Sequence, residues 1–213
     1  MTRAMTSARP VLVYLADAGH GRALQIRLLF EVTSTAFEDR RISNAAWRDL
    51  KPATPWGHLP VLYDGDYELF DSCAITCHVA SRVGLWPNEP EERARSIALL
   101  NAVDAMWSQL AEFARLRNPL TIVLRLRALL RRELPTFCAR VEGQIRGRYI
   151  TGDELSAADL SVYALFAVLL IRAGKYGVRG LIASHPQLAR LIESVAADPR
   201  VREHMERARK EPR

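Results

Sequence analysis

Apolar positions in the first eighty residues of the chain alternate between short runs and helical spacing. The run "VLVYL" at Val11–Leu15 has the length of a buried strand, and "GRALQIRLLFEVT" spaces its apolar residues as a helix does. A second strand is predicted to begin near Phe37, with a short helix around Trp47. Two more strands flank the turn Asp64-Gly65-Asp66, and a helix starts at Ser72. The predicted order is strand, helix, strand, helix, strand, strand, helix, with a parallel crossover first and an antiparallel hairpin last.

From Glu91 onward the pattern is helical throughout. Predicted helices cover roughly residues 91–115, 120–146, 156–171, 186–197 and 199–210. Pro135 should kink or interrupt the second of these. Ser156 and Asp159 have capping-box spacing and begin a helix that is apolar almost all round, so that helix should be buried. "GLWPNEPEER" breaks the pattern, and we predict an α/β domain over residues 1–83, a linker over 84–90 and an all-helical domain over 91–213.

Composition narrows the class of protein. With 213 residues and 49% apolar positions, the chain can bury a sizeable core. No apolar run approaches the roughly 20 residues that span a bilayer, and "MTRAMTSARP" lacks the apolar stretch of a secretory signal, so we expect a cytoplasmic protein without a membrane partner. The three cysteines fit reduced intracellular thiols. The five histidines show no metal-ligand spacing, so no metal is predicted.

The net charge of +6 permits either an anionic partner or a solvated surface. Five arginines of the second half are the candidates for a nucleic-acid contact, namely Arg125, Arg127, Arg131, Arg132 and Arg140. Their helical spacing spreads them over more than one face, and no recognition motif accompanies them. A solvated surface is the better interpretation, and no nucleic-acid partner is predicted.

Six stretches in fixed order carry a family resemblance. They are "LVYL" with "GRALQIRLLF", "FEDRRI", "WRDLKPATPWGHLPVL", "LFDSCAI", "ITGDELSAADL" and "HPQLARLIESVAADPRV". Together they cover almost the whole chain, which resembles the cytosolic glutathione transferases of the tyrosine-dependent group (sigma, alpha, mu and pi) and sigma most. The resemblance implies an N-terminal thioredoxin-like domain of βαβαββα order, followed by an all-α bundle. It also implies glutathione as co-substrate, a hydrophobic electrophile and a homodimer.

The resemblance assigns the thiol site. Tyr14 matches the tyrosine whose hydroxyl donates to the glutathione sulfur, and Arg22 matches an arginine that supports the same network. In "HLPVL", Pro60 matches a proline that follows a cis peptide and presents the backbone of Leu59 to the cysteinyl backbone of glutathione. A trans proline capping an edge strand is the alternative. His58 stands where the family often has Gln or Lys.

Both ends of the tripeptide have matching residues. Ser72 lies where a helix should start, so its hydroxyl can cap that helix, and the helix end forms an anion site for the γ-glutamyl carboxylate. Asp71 replaces the usual Gln before it and could hold the ligand's α-ammonium group. Trp47 and Lys51, four residues apart, match the residues that reach the glycyl end, with Lys51 paired to its carboxylate. Each of these residues alone would more often be structural.

One departure from the family pattern lies beside the catalytic tyrosine. "YLADAGHGRA" puts about two extra residues between Tyr14 and the Gly-Arg-Ala start, so the Leu15–His20 loop is remodelled and His20 is a possible substitute donor. The electrophile should bind among Leu15, Met106 and Leu110, which could equally be core residues.

The resemblance also implies a reaction and contacts between subunits. Glutathione must react as thiolate, so we predict a glutathione transferase that conjugates it to hydrophobic electrophiles. The alternatives are a glutathione-dependent peroxidase or prostaglandin-type isomerase, and a glutathione-binding protein without catalysis. Trp56 lies where some classes insert an aromatic side chain into the partner subunit. The family often lends an acidic residue from the partner, but Ser108 falls near that place, with Asp104 one turn earlier.

Overall fold

The computed structural model describes residues 9–16, 20–54 and 56–210. Four strands form one sheet in the order β2-β1-β3-β4. Their bounds are Val11–Leu15 (β1), Glu38–Ile42 (β2), Val61–Asp64 (β3) and Tyr67–Phe70 (β4). β1 runs parallel to β2 and antiparallel to β3, and β3 pairs with β4 as a hairpin. The predicted order, the parallel crossover and the antiparallel hairpin are therefore confirmed.

The helices are Ala23–Val32 (α1), Asn44–Leu50 (α2), Ser72–Val83 (α3), Pro90–Glu112 (α4), Pro119–Ala128 (α5), Leu134–Glu142 (α6), Ala157–Ala173 (α7), Val178–Ala183 (α8), Pro186–Ala196 (α9) and Pro199–Lys210 (α10). Short 3-10 turns occupy Lys51–Ala53, Phe113–Arg115 and Gly174–Tyr176. The sequence pattern did not predict α8, whose six residues show too little periodicity. Among the described helices, none has both the length and the apolar character that crossing a bilayer requires.

The core runs from the sheet into the helical part without a break. α1 is buried along nearly its whole length because it packs on α3, α7 and α10. α7 is buried on all sides from Ala157 to Leu169, as its apolar pattern predicts. Gly84 ends α3 in the left-handed conformation that a helix C-cap favours, and the linker that follows is tied to α7 by the Ala157 N–H, which donates to the Leu85 carbonyl at 3.0 Å.

Pro135 interrupts its helix as predicted. A π-helical turn at Leu129–Glu133 separates α5 from α6, and Pro135 lies in the first turn of α6. Proline has no N–H to donate and its ring clashes with the carbonyl four residues earlier. The extra residue of a wide π turn accommodates this defect, so the helix continues beyond it.

Candidate active site

Tyr14 meets the start of α1. Its ring is buried on β1, and its hydroxyl oxygen accepts a hydrogen bond from the backbone N–H of Arg22 at 3.3 Å. Gly21 turns the chain at this point with φ +44, and a Cβ placed there would lie 2.4 Å from the Tyr14 hydroxyl oxygen. Only glycine leaves room for the hydroxyl. The sequence pattern predicts a helix start here but contains no sign that Tyr14 lies against it.

Arg22 links the two domains through its side chain. Its Nε donates to Asp104 Oδ1 at 2.6 Å, and Nη2 donates to Ser108 Oγ at 2.7 Å. The same Asp104 oxygen accepts from Ser72 Oγ at 3.1 Å. Asp104 and Ser108 lie one turn apart on α4, so Arg22 has its acidic partner within its own subunit. The network connects the Tyr14 end of the site to the start of α3.

The start of α3 differs in detail from the prediction. Asp71, not Ser72, is the N-cap, because its carboxylate accepts from the N–H groups of Cys73 and Ala74 at 2.9 and 3.0 Å. Ser72 is the first helical residue, and its hydroxyl points to Asp104 instead. Asp71 has φ +81 and ψ +127, a conformation that costs a non-glycine residue energy and that concentrates at functional sites.

Leu59 and Pro60 lead into β3, the strand that pairs with β1. The peptide bond between them is cis, as predicted from the resemblance. β3 begins at Val61, which pairs with Val13 of β1 in antiparallel register. Pro60, directly before this ladder, is buried, and Leu59 is half-buried.

The remaining predicted glutathione contacts lie on the segment between β2 and β3. Trp47 is half-buried on α2, and Lys51 is exposed, with its aliphatic chain beside Gly57. His58 is exposed, and its Nδ1 lies 2.9 Å from the carbonyl oxygen of Trp56. These side chains are therefore available to a ligand at the surface.

The three residues that are predicted to contact the electrophile differ in their burial. Leu15 and Leu110 are half-buried, which leaves part of each side chain for a substrate. Met106 is only 4% exposed and lines a cavity of about 1010 Å³ between α4 and α6. Tyr14 is not among the residues that line this cavity. Met106 packs in the core, and its contact with an electrophile stays a prediction.

His20 is turned toward the helical domain. Its ring centroid lies 6.2 Å from that of His204 on α10, and its carbonyl accepts from Arg27 at 3.4 Å. The rest of the remodelled loop, residues 17–19, lies outside the described residues. The Tyr14 hydroxyl lies against the start of α1, so Tyr14 remains the candidate donor.

Cys73, next to Ser72, is the nearest thiol of the protein itself. Burial, followed by the charges of Asp71 and Asp104, raises its pKa to about 12. It is therefore protonated at neutral pH and a poor nucleophile. None of the three cysteines is in a disulfide. Within the described part of the chain, no group of three or more His, Cys, Asp or Glu side chains could hold a metal ion.

Comparison with known families gives matches in both halves of the chain. Residues 10–81 match the model "Glutathione S-transferase, N-terminal domain", and residues 123–208 match the model "Glutathione S-transferase, C-terminal domain". The glutathione S-transferase P of Caenorhabditis elegans is 42% identical over 66 residues, which are 31% of this chain and 32% of that protein. This chain matches only 32% to 50% of the length of this relative and of three other similar proteins.

Longer matches carry lower identity. The human hematopoietic prostaglandin D synthase is 26% identical over 182 residues, covering 85% of this chain and 88% of that protein. Among solved structures, a prostaglandin synthase D from Nilaparvata lugens superposes with a TM-score of 0.83 at 21% identity, over 97% of this chain and 100% of that one. At that identity the superposition establishes the fold.

Proposed function

Because the chain belongs to the glutathione S-transferase family, we propose that it binds glutathione, ionises its thiol and conjugates it to hydrophobic electrophiles. One observation carries the proposal: the Tyr14 hydroxyl accepts a backbone N–H at the start of α1. An oxygen that accepts one hydrogen bond donates its own hydrogen more strongly, because successive hydrogen bonds polarise one another. The Tyr14 proton is thus free for a sulfur atom in front of it.

A hydrogen-bond donor at Tyr14 would favour ionisation of the glutathione thiol. A free thiol has a pKa of about 8.5, so only a few per cent is ionised near neutral pH. Lowering that pKa by about 2 units takes roughly 2.7 kcal/mol of preferential thiolate stabilisation. One hydroxyl donor in a partly dry site, with the positive end of the α1 dipole behind it, is of the right size. The thiol proton then leaves to solvent.

The γ-glutamyl end would lie at the start of α3. The Asp71 carboxylate already satisfies the N–H groups of Cys73 and Ala74, and the Asp71 carbonyl accepts from Ile75 at 3.0 Å. No described residue accepts from the Ser72 N–H, so this amide remains for the ligand carboxylate. The ligand's ammonium group would lie near Asp71, with Asp104 behind it as a second negative charge.

The middle and the far end of glutathione follow from the neighbouring segment. The backbone of Leu59, presented by the cis peptide to Pro60, would pair with the cysteinyl backbone as an added strand does. Trp47, Lys51 and His58 would surround the glycyl end, where Lys51 supplies the positive charge for the carboxylate. The half-buried Leu15 and Leu110 would contact the electrophile.

In the proposed reaction the thiolate lone pair forms a bond to an electrophilic carbon. With 1-chloro-2,4-dinitrobenzene as probe, the displaced electron pair leaves with chloride, and the proton lost from the thiol balances the charge. The first test is a titration of the ultraviolet thiolate absorbance of bound glutathione, in wild type and Tyr14→Phe. A bound pKa well below the free value, which returns toward it in Tyr14→Phe but not in Tyr149→Phe, supports the proposal.

Two other results would contradict thiol activation by Tyr14. An unshifted pKa despite saturable binding would leave a glutathione-binding protein without thiol activation. A pKa that stays low in Tyr14→Phe would assign activation to another group, with His20 as the first candidate.

The prostaglandin D synthase relative supports a second candidate, a glutathione-dependent isomerase. Stoichiometry separates the possibilities. Conjugation consumes one glutathione per product, and isomerisation of a prostaglandin endoperoxide consumes none. Reduction of a hydroperoxide to an alcohol and water oxidises two glutathiones to their disulfide. Following glutathione loss against product formation for each substrate class therefore identifies the reaction that the site favours.

We also propose that the active form is a homodimer. Trp56, in the segment between α2 and β3, is 72% exposed, which is unusual for so large an apolar side chain. The cavity between α4 and α6 offers a place for the same residue of a second copy, since its walls include Leu99, Met106 and Phe137. A two-fold dimer would bury both copies of Trp56 in this way.

A further inference from the structure

None of the side chains of α5 is buried in the core. The helix instead leaves Leu120, Val123 and Leu124 exposed to 66%, 44% and 55%. Spacings of three and four residues put these three side chains on one face of the helix. A cluster of exposed apolar side chains on a single face is typical of a contact surface.

The same stretch of chain is strongly basic. Residues 113–132 contain no Asp or Glu and six arginines, which are Arg115, Arg117, Arg125, Arg127, Arg131 and Arg132. Arg125 pairs with Glu112 and Glu133 at the two ends of the stretch. Arg127 and Arg131 are exposed and have no ion-pair partner among the described residues.

Arg127 lies three and seven residues after Leu124 and Leu120, so it continues the apolar face toward the end of the helix. Arg131 follows in the π-helical turn beyond α5. The stretch therefore carries apolar side chains first and guanidinium groups after them. We call Leu120, Val123, Leu124, Arg127 and Arg131 the α5 patch.

We propose that the α5 patch binds the surface of an anionic lipid membrane. Guanidinium groups pair with phosphate oxygens in bidentate fashion, and a helix with apolar and basic residues lies in the interface plane with its apolar side chains among the acyl chains. The exposed apolar side chains match the interior of such a membrane, and the neighbouring guanidinium groups match its anionic headgroups. Such interfacial binding needs no spanning segment.

The binding is independent of the chemistry proposed above, so it is tested without glutathione. Two variants divide the patch: Leu120→Gln with Val123→Gln and Leu124→Gln, and Arg127→Gln with Arg131→Gln. All five residues are exposed, so these variants should fold. The matched controls are Ile171→Gln, which is 41% exposed on α7, and Arg179→Gln with Arg190→Gln, two exposed arginines elsewhere.

Flotation is measured with vesicles of phosphatidylcholine alone and of phosphatidylcholine mixed with phosphatidylserine. We expect binding to the mixed vesicles only, weakening as salt rises. Because the arginine variant removes two cations from the charged surface, it should bind about 30-fold less. The apolar variant should lose binding by a similar factor, and both control variants should bind as wild type does.

Three results would overturn the proposal. The first is no binding to mixed vesicles at low salt, or equal binding by the patch variants. The second is binding of poly-glutamate that survives the apolar substitutions while vesicles are not bound, which would assign the arginines to an acidic protein. The third is a change of oligomeric state in the apolar variant by sedimentation, which would make the patch a contact between copies of the chain.

Discussion

The absence of a side chain at Gly21 matters as much to Tyr14 as any hydrogen bond. In Gly21→Ala the new Cβ would lie 2.4 Å from the Tyr14 hydroxyl oxygen, and φ +44 is already unfavourable for alanine. The ring must therefore move away from Arg22 and from the thiol. We expect a fall in kcat/KM for conjugation of about 100-fold, as for loss of a well-placed donor.

Thiolate titration and stability measurements locate the cause. Gly180→Ala is the control, because nothing lies within 4 Å of a Cβ at that position. A Gly21→Ala enzyme that keeps a low glutathione pKa and wild-type activity would show that Tyr14 is not held as described. A variant that merely unfolds would instead lose glutathione binding and cooperative melting together.

Asp104 is a positioning residue, since it holds Arg22 and Ser72 without being assigned a contact to the reacting sulfur. In Asp104→Asn the charge that pairs with Arg22 disappears, and Ser72 loses a charged acceptor. Hydrogen bonds to charged groups are worth roughly 1.5–3 kcal/mol, so KM for glutathione should rise by about tenfold or more.

The KM increase should exceed the change in kcat, because the network reaches the γ-glutamyl end of the ligand. The control is Glu112→Gln at the end of the same helix, whose contact to Arg125 is 3.6 Å long. If Asp104→Asn lowered kcat alone, Asp104 would act on the chemistry at Tyr14 rather than on binding.

The start of α7 gives a prediction about pH. The buried Asp159 carboxylate accepts from the Ser156 N–H and hydroxyl at 2.8 and 2.6 Å and from the Ile150 N–H at 2.8 Å. Burial outweighs these hydrogen bonds and raises the pKa of Asp159 to about 6. In the unfolded chain the pKa of an aspartate is about 3.9. At pH values between these two pKa values, the folded state therefore binds more protons than the unfolded state.

The contribution of Asp159 to stability is therefore present below about pH 4 and is lost as the pH rises through about 6, an effect of about 3 kcal/mol. Asp159→Asn removes this titration but also costs about 1–3 kcal/mol through imperfect capping. Urea unfolding from pH 4 to 7 should show wild type losing stability relative to Asp159→Asn. The exposed Asp153→Asn should follow wild type. A relative gain by wild type would mean that the hydrogen bonds outweigh burial.

Elements with a strong period were predictable from the sequence, and local details were not. β1 was predicted with its observed bounds, and α7 was predicted to be buried because its apolar residues encircle it. The six-residue α8 has no such period. At the start of α3, Asp71 and Ser72 both have capping side chains, and the choice between them depends on Asp104, which is 32 residues or more away in sequence. The approach of Tyr14 to Gly21 likewise depends on the fold as a whole.

In the molecule as a whole, polar contacts from α10 connect the helical domain to α1. The Glu31 carboxylate of α1 lies 3.0 Å from His204 Nδ1 and 2.6 Å from Arg207 Nη2, and Arg200 donates to the Val32 carbonyl at 2.9 Å. Burial, partly offset by Glu31, lowers the pKa of His204. Through these contacts and through Arg22 with Asp104, both domains support the helix on which the thiol site rests.

The proposed dimer depends on Trp56 and on the cavity that would receive it. Each copy of a two-fold dimer contributes one Trp56, so Trp56→Ala removes two buried anchors at once. At about 2 kcal/mol or more for each, the dissociation constant should rise by about a thousandfold. Sedimentation at micromolar concentration should then give monomers for Trp56→Ala and dimers for wild type.

The receiving surface can be blocked independently. Ala102 lines the cavity between α4 and α6 from an exposed position, and Ala102→Trp would fill the space without disturbing the core. It should therefore produce monomers as Trp56→Ala does, and combining the two changes should add little, because both remove one interaction. Tyr176→Ala, which truncates an aromatic side chain that is 51% exposed elsewhere, should remain dimeric. A monomeric wild type would refute the dimer, whereas a dimer that survives both substitutions would place the contact on another face.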